Sequence, residues 1–222
     1  MISHLALIMD GNRRWAKKRG MFAWLGHRQG AQTVEMVTQY CLDKKIPYLS
    51  LYTFSIENLS RSQEEVSYLF GLIQEAAGRA DEFIKNGVQV RFIGDLSKLP
   101  QSTKTDCDDL VQKTAMGKNL VCSFLLCYGG QQEILAAAQR MIDDKVNQVD
   151  KDTFKKYLWM GNVPDPDIII RTGGVQRLSN FLLFQAAYAE IRFLHCFWPD
   201  LTKDLLDQTV QDCINANKNF GS

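Results

Sequence analysis

The chain has 222 residues, which is enough to bury the core of one or two domains. Apolar residues make up 45% of the sequence and charged residues 23%, an ordinary globular composition. The formal net charge is only +1, so no global field draws the protein to nucleic acid or anionic lipid. Any anion binding must therefore come from a local cluster of basic residues.

The cysteines and the N-terminal segment indicate a cellular compartment. No Cys-x-x-Cys spacing occurs, and Cys122 and Cys127 lie in an apolar run without a nearby histidine. We therefore expect buried, reduced thiols, which suit a reducing environment. Residues 1–9 lack the basic start of a secretory signal, and no apolar stretch reaches ~18 residues. These features predict a cytoplasmic protein without a membrane-spanning segment.

Strand-like apolar runs alternate with helical patterns along the chain. In chain order, the patterns predict a strand at Leu5–Met9, a helix at 27–45, a strand at Ile46–Phe54, a helix at Glu64–Lys85, a strand at Val88–Ile93, a helix at Thr103–Thr114, a strand at Leu120–Cys127, helices at Gln131–Asp143 and Asp152–Trp159, strands at Asp167–Ile170 and Ile191–Leu194, and a helix at Leu201–Asn217. This alternation predicts an α/β fold in a single domain, with mostly parallel strands surrounded by helices.

Polar, glycine-containing segments follow several of the apolar runs. They are Asp10–Trp15, Ser55–Arg61, Tyr128–Gly130 and Arg171–Asn180. Because ligands of such sheets bind at the carboxyl ends of the strands, these segments are expected to converge on one rim. The sequence therefore predicts a single active site.

The first of these segments places a carboxylate, Asp10, at a strand end beside Gly11. That arrangement could hold Mg²⁺ on Asp10 and a diphosphate on the backbone and on Arg14. A simple Asp-Gly-Asn turn between strand and helix is the alternative interpretation. His27 lies near the start of the next helix. It is either a polar contact of that helix, or a residue that donates a hydrogen bond to phosphate or carries a proton.

Two later segments are rich in anion-binding groups. In Ser55–Arg61, Ser60 could be the N-cap of the following helix, but capping leaves Asn58 and Arg61 unexplained. In Asp167–Glu190, two arginines flank a Gly-Gly turn and a serine follows, which forms a plausible diphosphate cradle. Glu190 follows an apolar run, so a metal ion, a basic partner or a structural salt bridge is expected to compensate its charge.

Taken together, the motifs resemble one family. MDGNRRWA, GH, FSIENLSR, YGG before Glu133, IRTGGVQRLSNFLL, and AYAE before WPD occur in that order between residue 9 and about residue 200. Their order and spacing resemble the undecaprenyl diphosphate synthase family of cis-prenyltransferases.

The resemblance implies an Mg²⁺-dependent enzyme that condenses isopentenyl diphosphate with an allylic diphosphate, and the implied starter is farnesyl diphosphate. The implied product is undecaprenyl diphosphate of about C55, the lipid carrier for cell-wall sugars. The implied fold has about six mostly parallel strands and encloses an apolar tunnel. A homodimer in the cytoplasm is also implied, with transient peripheral contact at the inner membrane face for product release and no nucleic-acid partner.

The resemblance also implies roles for individual residues. Asp10 would be the essential acid and a Mg²⁺ ligand, Glu190 the second Mg²⁺ ligand, and Asn58 would assist proton removal. Trp15 would pack beside the prenyl chain. The allylic diphosphate would be held by Gly11, Asn12, the amide of Arg13, Arg14 and His27. The other substrate-binding residues would be Ser55, Ile56 and Glu57 around the reacting end, with Arg61, Arg171, Arg177, Leu178 and Ser179 for isopentenyl diphosphate.

Four positions depart from the usual bacterial pattern of this family. Arg13 stands where glycine is common, and Ala23 where a diphosphate-binding arginine is often found. Leu59 replaces an aromatic residue, and Val175 replaces a carboxylate. These departures concern individual contacts with substrate, so Ala23 is not expected to bind through its side chain.

The prenyl chain needs a dry channel, and we place it along the apolar faces of the helices at about 31–43 and 66–84. Ordinary core packing of these faces is the alternative. A trans-elongating synthase is disfavoured because Asp108-Asp109 and Asp143-Asp144 lack the third aspartate of an Asp-Asp-x-x-Asp motif. A non-catalytic subunit that only binds prenyl diphosphate is the alternative from another functional class.

Overall fold

The computed structural model describes residues 2–216, which form one α/β domain built on a six-stranded sheet. The spatial order of the strands is β3-β4-β2-β1-β5-β6, and every neighbouring pair is parallel. The expected fold is confirmed, with a wholly parallel sheet in place of a mostly parallel one. The strands are β1 His4–Ile8, β2 Tyr48–Ser55, β3 Val88–Ile93, β4 Leu120–Tyr128, β5 Ile168–Arg171 and β6 Glu190–Phe193.

Helices cover both faces of the sheet, as parallel strands require. The α-helices of residues 2–216 are α1 Asn12–Lys18, α2 Leu25–Lys44, α3 Gln63–Ala77, α4 Ala80–Lys85, α5 Gln101–Thr114, α6 Gly130–Asp143, α7 Lys151–Tyr157 and α8 Lys203–Asn215. None of them combines the length and hydrophobicity that a bilayer crossing requires. Within the same residues, all six cysteines are free thiols and five are buried, as the sequence indicates; Cys196 is partly exposed.

Several predicted helix boundaries were wrong. The helix predicted at Glu64–Lys85 is two helices, because the chain turns at Gly78 and Arg79 between α3 and α4. Its N-cap is Ser62, whose hydroxyl accepts a hydrogen bond from the amide of Glu65, so Ser60 is not the cap. The short α1 was not predicted as a separate helix, and the predicted end of the last helix at 217 lies outside the described residues.

A buried carboxylate on α6 joins the end of β4 to two segments further along the chain. Glu133 of α6 is fully buried and accepts hydrogen bonds from the hydroxyl of Tyr128 at 2.5 Å, the amide of Met160 at 2.9 Å and the side-chain amide of Gln185 at 3.0 Å. Burial and the neighbouring carboxylate raise the pKa of Tyr128, so its hydroxyl stays protonated and donates. Glu133 therefore belongs to the scaffold that supports the end of β4.

We predict that Glu133→Ala lowers the free energy of unfolding by about 3–5 kcal/mol, because it leaves three buried donors without an acceptor. Urea unfolding at neutral pH measures this change. Asp109→Ala, which removes an exposed ion pair with Lys113, serves as the control and is expected to lose less than about 1 kcal/mol. Equal losses in the two variants would contradict a structural role for Glu133.

Candidate active site

The segments expected to meet do meet at the carboxyl end of the sheet. Asp10 follows β1, Ser55 ends β2 and Arg171 ends β5. The register places Ile8, two residues before Asp10, beside both Tyr52 and Arg171, so the three chain ends emerge side by side. The topology of the parallel sheet thus creates the rim that the sequence predicts.

Asp10 lies at the centre of this rim between two arginines. Its Oδ1 accepts a hydrogen bond from Arg14 at 3.0 Å, and its Oδ2 accepts one from Arg171 at 2.9 Å. The backbone of Asp10 is also fixed, because its carbonyl accepts from the hydroxyl of Thr172 at 2.7 Å and from the amide of Trp198 at 3.0 Å. One carboxylate therefore holds two guanidinium groups, which leaves a net positive charge for an anionic ligand.

Two glycines permit this close packing. Gly11 has φ of 109°, and a Cβ there would lie 2.7 Å from Cδ1 of Phe197. Gly173 has φ of 87°, and a Cβ there would lie 2.5 Å from Nη2 of Arg14 and 3.2 Å from Cγ of Asp10. Any larger residue at Gly173 would displace the groups that form the site.

Arg171 connects the rim to the loop that follows β5. Its side chain is buried, and Nη1 donates to the hydroxyl of Ser179 at 2.7 Å and to the carbonyl of Arg177. Arg177 itself is exposed, and its Nε donates to the same hydroxyl at 3.3 Å. Ser179 and Asn180 have φ of 51° and 66°, a left-handed conformation that is unfavourable for most residues. Such strain is typical of loops that hold functional groups in place.

The turn after β2 is a capped short helix. The amide of Ser55 donates to Oδ1 of Asn58 at 3.2 Å, and the hydroxyl of Ser60 donates to the carbonyl of Glu57 at 2.7 Å. The Asn58 oxygen is thus already an acceptor within the protein. The carboxylate of Glu57 accepts a hydrogen bond from Asn180 at 2.9 Å, which joins this turn to the loop after β5.

Behind that turn, a buried carboxylate positions two more arginines. Glu65 of α3 accepts a hydrogen bond from Arg61 at 3.0 Å and lies 3.5 Å from Nε of Arg13. Both arginines line a recess together with Asp10. Arg13, one of the departures from the family pattern, therefore contributes a cation to the rim rather than only a backbone amide.

His27 is half-buried among these cations. Its Nε2 has no hydrogen-bond partner within the described residues. Burial and, to a smaller extent, the charges of Arg61 and Arg13 lower the pKa of His27 to about 4. The imidazole is therefore neutral at pH 7, and a bound phosphate would provide the missing partner for Nε2.

The rim opens into a large cavity of about 940 Å³. Its mouth is polar and basic, and its interior is apolar, lined by side chains of α2, α3, α4, α5 and the sheet. Those apolar side chains include Val34, Leu69, Leu72, Ile73, Phe83, Phe92, Leu110, Phe124 and Leu126. The cavity therefore lies along the two helical faces where the sequence placed the channel, although many of these side chains also belong to the core.

Two ion pairs cross the edge of the cavity between α2 and the α3–α4 pair. Arg28 donates to both oxygens of Glu75 at 2.9 and 3.0 Å. Arg79 pairs with Glu35. All four side chains line the cavity and are more than half exposed, so these pairs are accessible to solvent.

Four of the predicted site residues lie elsewhere. The indole of Trp15 donates to Asp200 at 2.7 Å and does not line the cavity, and neither do Ile56 and Leu178. Glu190 begins β6 and pairs in register with Ile168 at the start of β5, at the opposite end of the sheet from Asp10. It forms a salt bridge with Arg192 at 3.0 Å, the alternative that its sequence context left open.

Conversely, sequence reasoning missed residues that the structure places at the site. Asn180 lines the cavity, and its side chain bonds to Glu57 and to Gln132 at 3.0 Å. Glu65 was missed although its spacing of four residues from Arg61 is that of a helical ion pair. Its role depends on α3 lying beside α1, which no local pattern shows.

The side chains available as metal ligands limit how a metal ion could bind. Within residues 2–216 no group of three or more His, Cys, Asp or Glu side chains is placed to hold a metal. Asp10 lines the cavity, and a carboxylate has lone pairs beyond the two that its arginines use. Mg²⁺ commonly binds through one or two carboxylates plus phosphate oxygens and water. The site therefore fits a Mg²⁺–diphosphate complex anchored by Asp10, and not an isolated ion.

The fold and the site together define the class of the protein. A wholly parallel α/β sheet carries a cationic rim suited to diphosphates, and that rim opens into an apolar cavity suited to a hydrocarbon chain. This is the arrangement expected of an enzyme that acts on prenyl diphosphates.

Comparison with known proteins identifies the family. Residues 8–221 match the prenyltransferase family model described as undecaprenyl diphosphate synthase, and the chain belongs to this family. It is 40% identical to an isoprenyl transferase of Clostridium perfringens, with 100% of this chain and 90% of that protein covered. It is 39% identical to the Ditrans,polycis-undecaprenyl-diphosphate synthase ((2E,6E)-farnesyl-diphosphate specific) of Micrococcus luteus, with 98% and 90% covered.

Solved structures agree with this assignment. A lavandulyl diphosphate synthase from Lavandula x intermedia, crystallised with dimethylallyl diphosphate, matches with a TM-score of 0.95 and 27% identity, covering 100% of this chain and 98% of that chain. A protein described as a probable undecaprenyl diphosphate synthase from Campylobacter jejuni matches with a TM-score of 0.85 and 32% identity, covering 100% and 99%. The resemblance drawn from the motifs is thereby confirmed.

We predict that Gly173→Ala lowers kcat/KM about 100-fold while the protein stays folded, because its Cβ would separate Arg14 from Asp10. Steady-state kinetics with circular dichroism measures both properties. Gly71→Ala, where a Cβ meets no atom within 4 Å, is the control and should keep wild-type activity. Unchanged kinetics in Gly173→Ala would show that the close approach is not needed.

The buried histidines predict a pH-dependent stability. Burial lowers the pKa of His4 and of His27 to about 4, so the unfolded chain binds more protons between pH 6.5 and 4. Stability is therefore present above pH 6.5 and falls as the pH drops towards 4, by up to about 3 kcal/mol for each histidine. Urea unfolding at pH 7 and pH 4.5 tests this, and His27→Gln should lose less stability on acidification than the wild type. An identical pH dependence in both proteins would contradict it.

Proposed function

We propose that this protein is a Mg²⁺-dependent cis-prenyltransferase that condenses isopentenyl diphosphate with farnesyl diphosphate and makes undecaprenyl diphosphate of about C55. The observation that supports the reaction best is the cavity, whose cationic mouth and apolar interior match the two ends of a prenyl diphosphate. The farnesyl starter and the product length rest on the resemblance to relatives such as the Micrococcus luteus enzyme.

The positions of the cations suggest how two diphosphates bind. Arg14, His27 and the backbone around Gly11 face the recess beside Asp10 and would hold the allylic diphosphate. Arg171, Arg177 and Ser179 lie across the rim and would hold isopentenyl diphosphate. The assignment places the two reacting ends next to each other at the cavity mouth.

In the reaction, the allylic carbon–oxygen bond breaks and the electron pair leaves with the diphosphate. The double bond of isopentenyl diphosphate bonds to that carbon, and loss of one proton forms the new cis double bond. Bound Mg²⁺ would stabilise negative charge on the leaving diphosphate. The arginines would stabilise the same negative charge, because Asp10 and Ser179 already orient their guanidinium groups.

For Asn58 we propose a part other than the assistance in proton removal that the resemblance implies. Its Oδ1 already accepts the amide of Ser55, and a carboxamide is not a base near neutral pH. We therefore propose that Asn58 positions the turn at Ser55 and Glu57 at the cavity mouth, and that the proton leaves to another acceptor.

A homodimer remains part of the proposal. Glu190 cannot join Asp10 in one chain because the two residues lie at opposite ends of the sheet. If Glu190 is a Mg²⁺ ligand, a second copy of the chain must supply it. We place the enzyme in the cytoplasm, with transient contact at the membrane when it releases product.

The alternative is a non-catalytic subunit that binds prenyl diphosphate only. The rim favours the enzyme because it carries two groups of cations, Arg14 beside Asp10 and Arg171 beside Ser179, whereas binding of a single prenyl diphosphate needs only one.

Incorporation of labelled isopentenyl diphosphate into butanol-extractable lipid, with farnesyl diphosphate and Mg²⁺, tests the proposal. We expect Mg²⁺-dependent product near C55 from the wild type and a loss of at least about 1000-fold in Asp10→Asn. Asp43→Asn, which removes an exposed carboxylate paired with Lys203, is the matched control and should keep its activity. No incorporation by folded wild type with any allylic starter would favour the binding subunit.

The cavity predicts which substitutions shorten the product. Leu69 and Ile73 line it, so Leu69→Trp or Ile73→Trp should fill the channel and yield shorter chains. Ser67→Trp adds the same side chain on the exposed side of α3 and should leave the length distribution unchanged. Thin-layer chromatography of the dephosphorylated products measures the lengths. Wild-type lengths from both folded cavity variants would place the growing chain elsewhere.

A further inference from the structure

A local excess of positive charge follows Asp10. Residues 11–34 contain six Lys and Arg residues and no Asp or Glu, whereas the whole chain has a net charge of +1. Lys17 and Lys18 are exposed, and neither forms an ion pair with the part of the chain that the structure describes. The other four cations, Arg13, Arg14, Arg19 and Arg28, all pair with carboxylates. Lys17 lies at the edge of the recess, and Nζ of Lys18 lies 4.9 Å from the centre of the Phe197 ring. Among the described residues neither lysine has a carboxylate partner, so both remain available to an external anion.

Beside these lysines, apolar side chains are exposed in the turn between α1 and α2. Phe22 is 67% exposed and Met21 39% exposed. The ring of Phe22 stacks on Trp24 with centroids 4.9 Å apart and planes 9° from parallel. Because the aromatic pair and Met21 adjoin one another, they form a patch rather than single exposed residues.

The backbone holds this turn in a fixed shape. The amide of Met21 donates to the carbonyl of Ala16 at 3.0 Å, and the amide of Leu25 donates to the carbonyl of Phe22 at 3.0 Å. The turn is thus closed by hydrogen bonds at both ends while its apolar side chains face outward. The helix α1 has seven residues and is thus only about 10 Å long, with two arginines of the site in its first turn and the patch after its last.

We propose that this surface, the Phe22 patch formed by Lys17, Lys18, Met21, Phe22 and Trp24, docks the protein on a bilayer that contains anionic lipid. Lysines are attracted to the negative surface of such a bilayer, and aromatic and apolar side chains enter its interfacial layer. The combination matches both features of a membrane surface, a negatively charged layer of headgroups over an apolar interior.

The inference rests on the proposed function, which it deepens. The proposed product carries one charged end and a long hydrocarbon chain, and such a molecule is stable in a bilayer and not in water. A docked Phe22 patch would hold the cavity mouth beside the bilayer, which is where the product must go. The patch would thus be the part of the protein that makes the membrane contact proposed for product release.

Vesicle sedimentation without any substrate tests the docking separately from the enzyme activity. The probes are vesicles of phosphatidylcholine alone and of phosphatidylcholine with phosphatidylglycerol. We expect the wild type to bind only the anionic vesicles. Lys18→Gln should weaken binding about fivefold and Phe22→Ser about tenfold. Both variants should keep wild-type activity with a short, water-soluble allylic diphosphate, which shows that they are folded.

Matched controls lie on other surfaces of the molecule. Tyr188→Ser changes an aromatic residue that is 75% exposed, and Lys118→Gln changes an exposed lysine; both should bind vesicles like the wild type. Absence of wild-type binding to anionic vesicles, or equal binding by Phe22→Ser, overturns the proposal. If Phe22→Ser instead converts a dimer to a monomer in analytical ultracentrifugation, the patch is a subunit interface and the proposal is wrong. A protein that binds vesicles but incorporates no isopentenyl diphosphate would overturn the proposed function alone.

Discussion

The interaction on which the site depends is that of Asp10 with two arginines, one on each side. Arg14 reaches the carboxylate from α1, the helix that follows Asp10, and Arg171 reaches it from the end of the neighbouring strand β5. The single negative charge orients two positive charges before any ligand binds. Because the two guanidinium groups are already oriented, they can bind a diphosphate without further rearrangement. The remaining contacts of the rim extend this arrangement through Ser179 and Glu65.

The sheet makes that interaction possible and also separates it from the hydrocarbon region. All six strands run in one direction, so their carboxyl ends meet at a single rim. Below the rim, the helices α2 and α3 stand apart far enough to leave a cavity of about 940 Å³ between their apolar faces and the sheet. The cations of the site therefore lie at the rim, and the apolar interior remains suited to a prenyl chain.

The segment 11–34, which follows Asp10, contributes both to the site and to the outer surface of the protein. Residues 11–34 carry six basic residues without an acidic one. Arg13, Arg14 and Lys17 line the recess, Lys17 and Lys18 belong to the Phe22 patch, and Arg19 and Arg28 pair with carboxylates. The seven-residue helix α1 joins the proposed diphosphate site to the apolar, basic surface. Substrate binding and membrane contact would thus share one source of positive charge.

The sequence by itself determined the alternation of strands and helices, the four rim segments and the two helical faces along the cavity. These features follow from local periodicity and from turn chemistry, which neighbouring residues specify. Tertiary structure decided which side chains reach the rim. Trp15 lies in the first motif, yet its indole turns to Asp200, and Glu190 lies at the far end of β6. Glu65 joins the site only because the start of α3 lies within reach of Arg13 on α1. The direction of a side chain and its distance from other helices and strands depend on tertiary packing, which local sequence patterns do not specify.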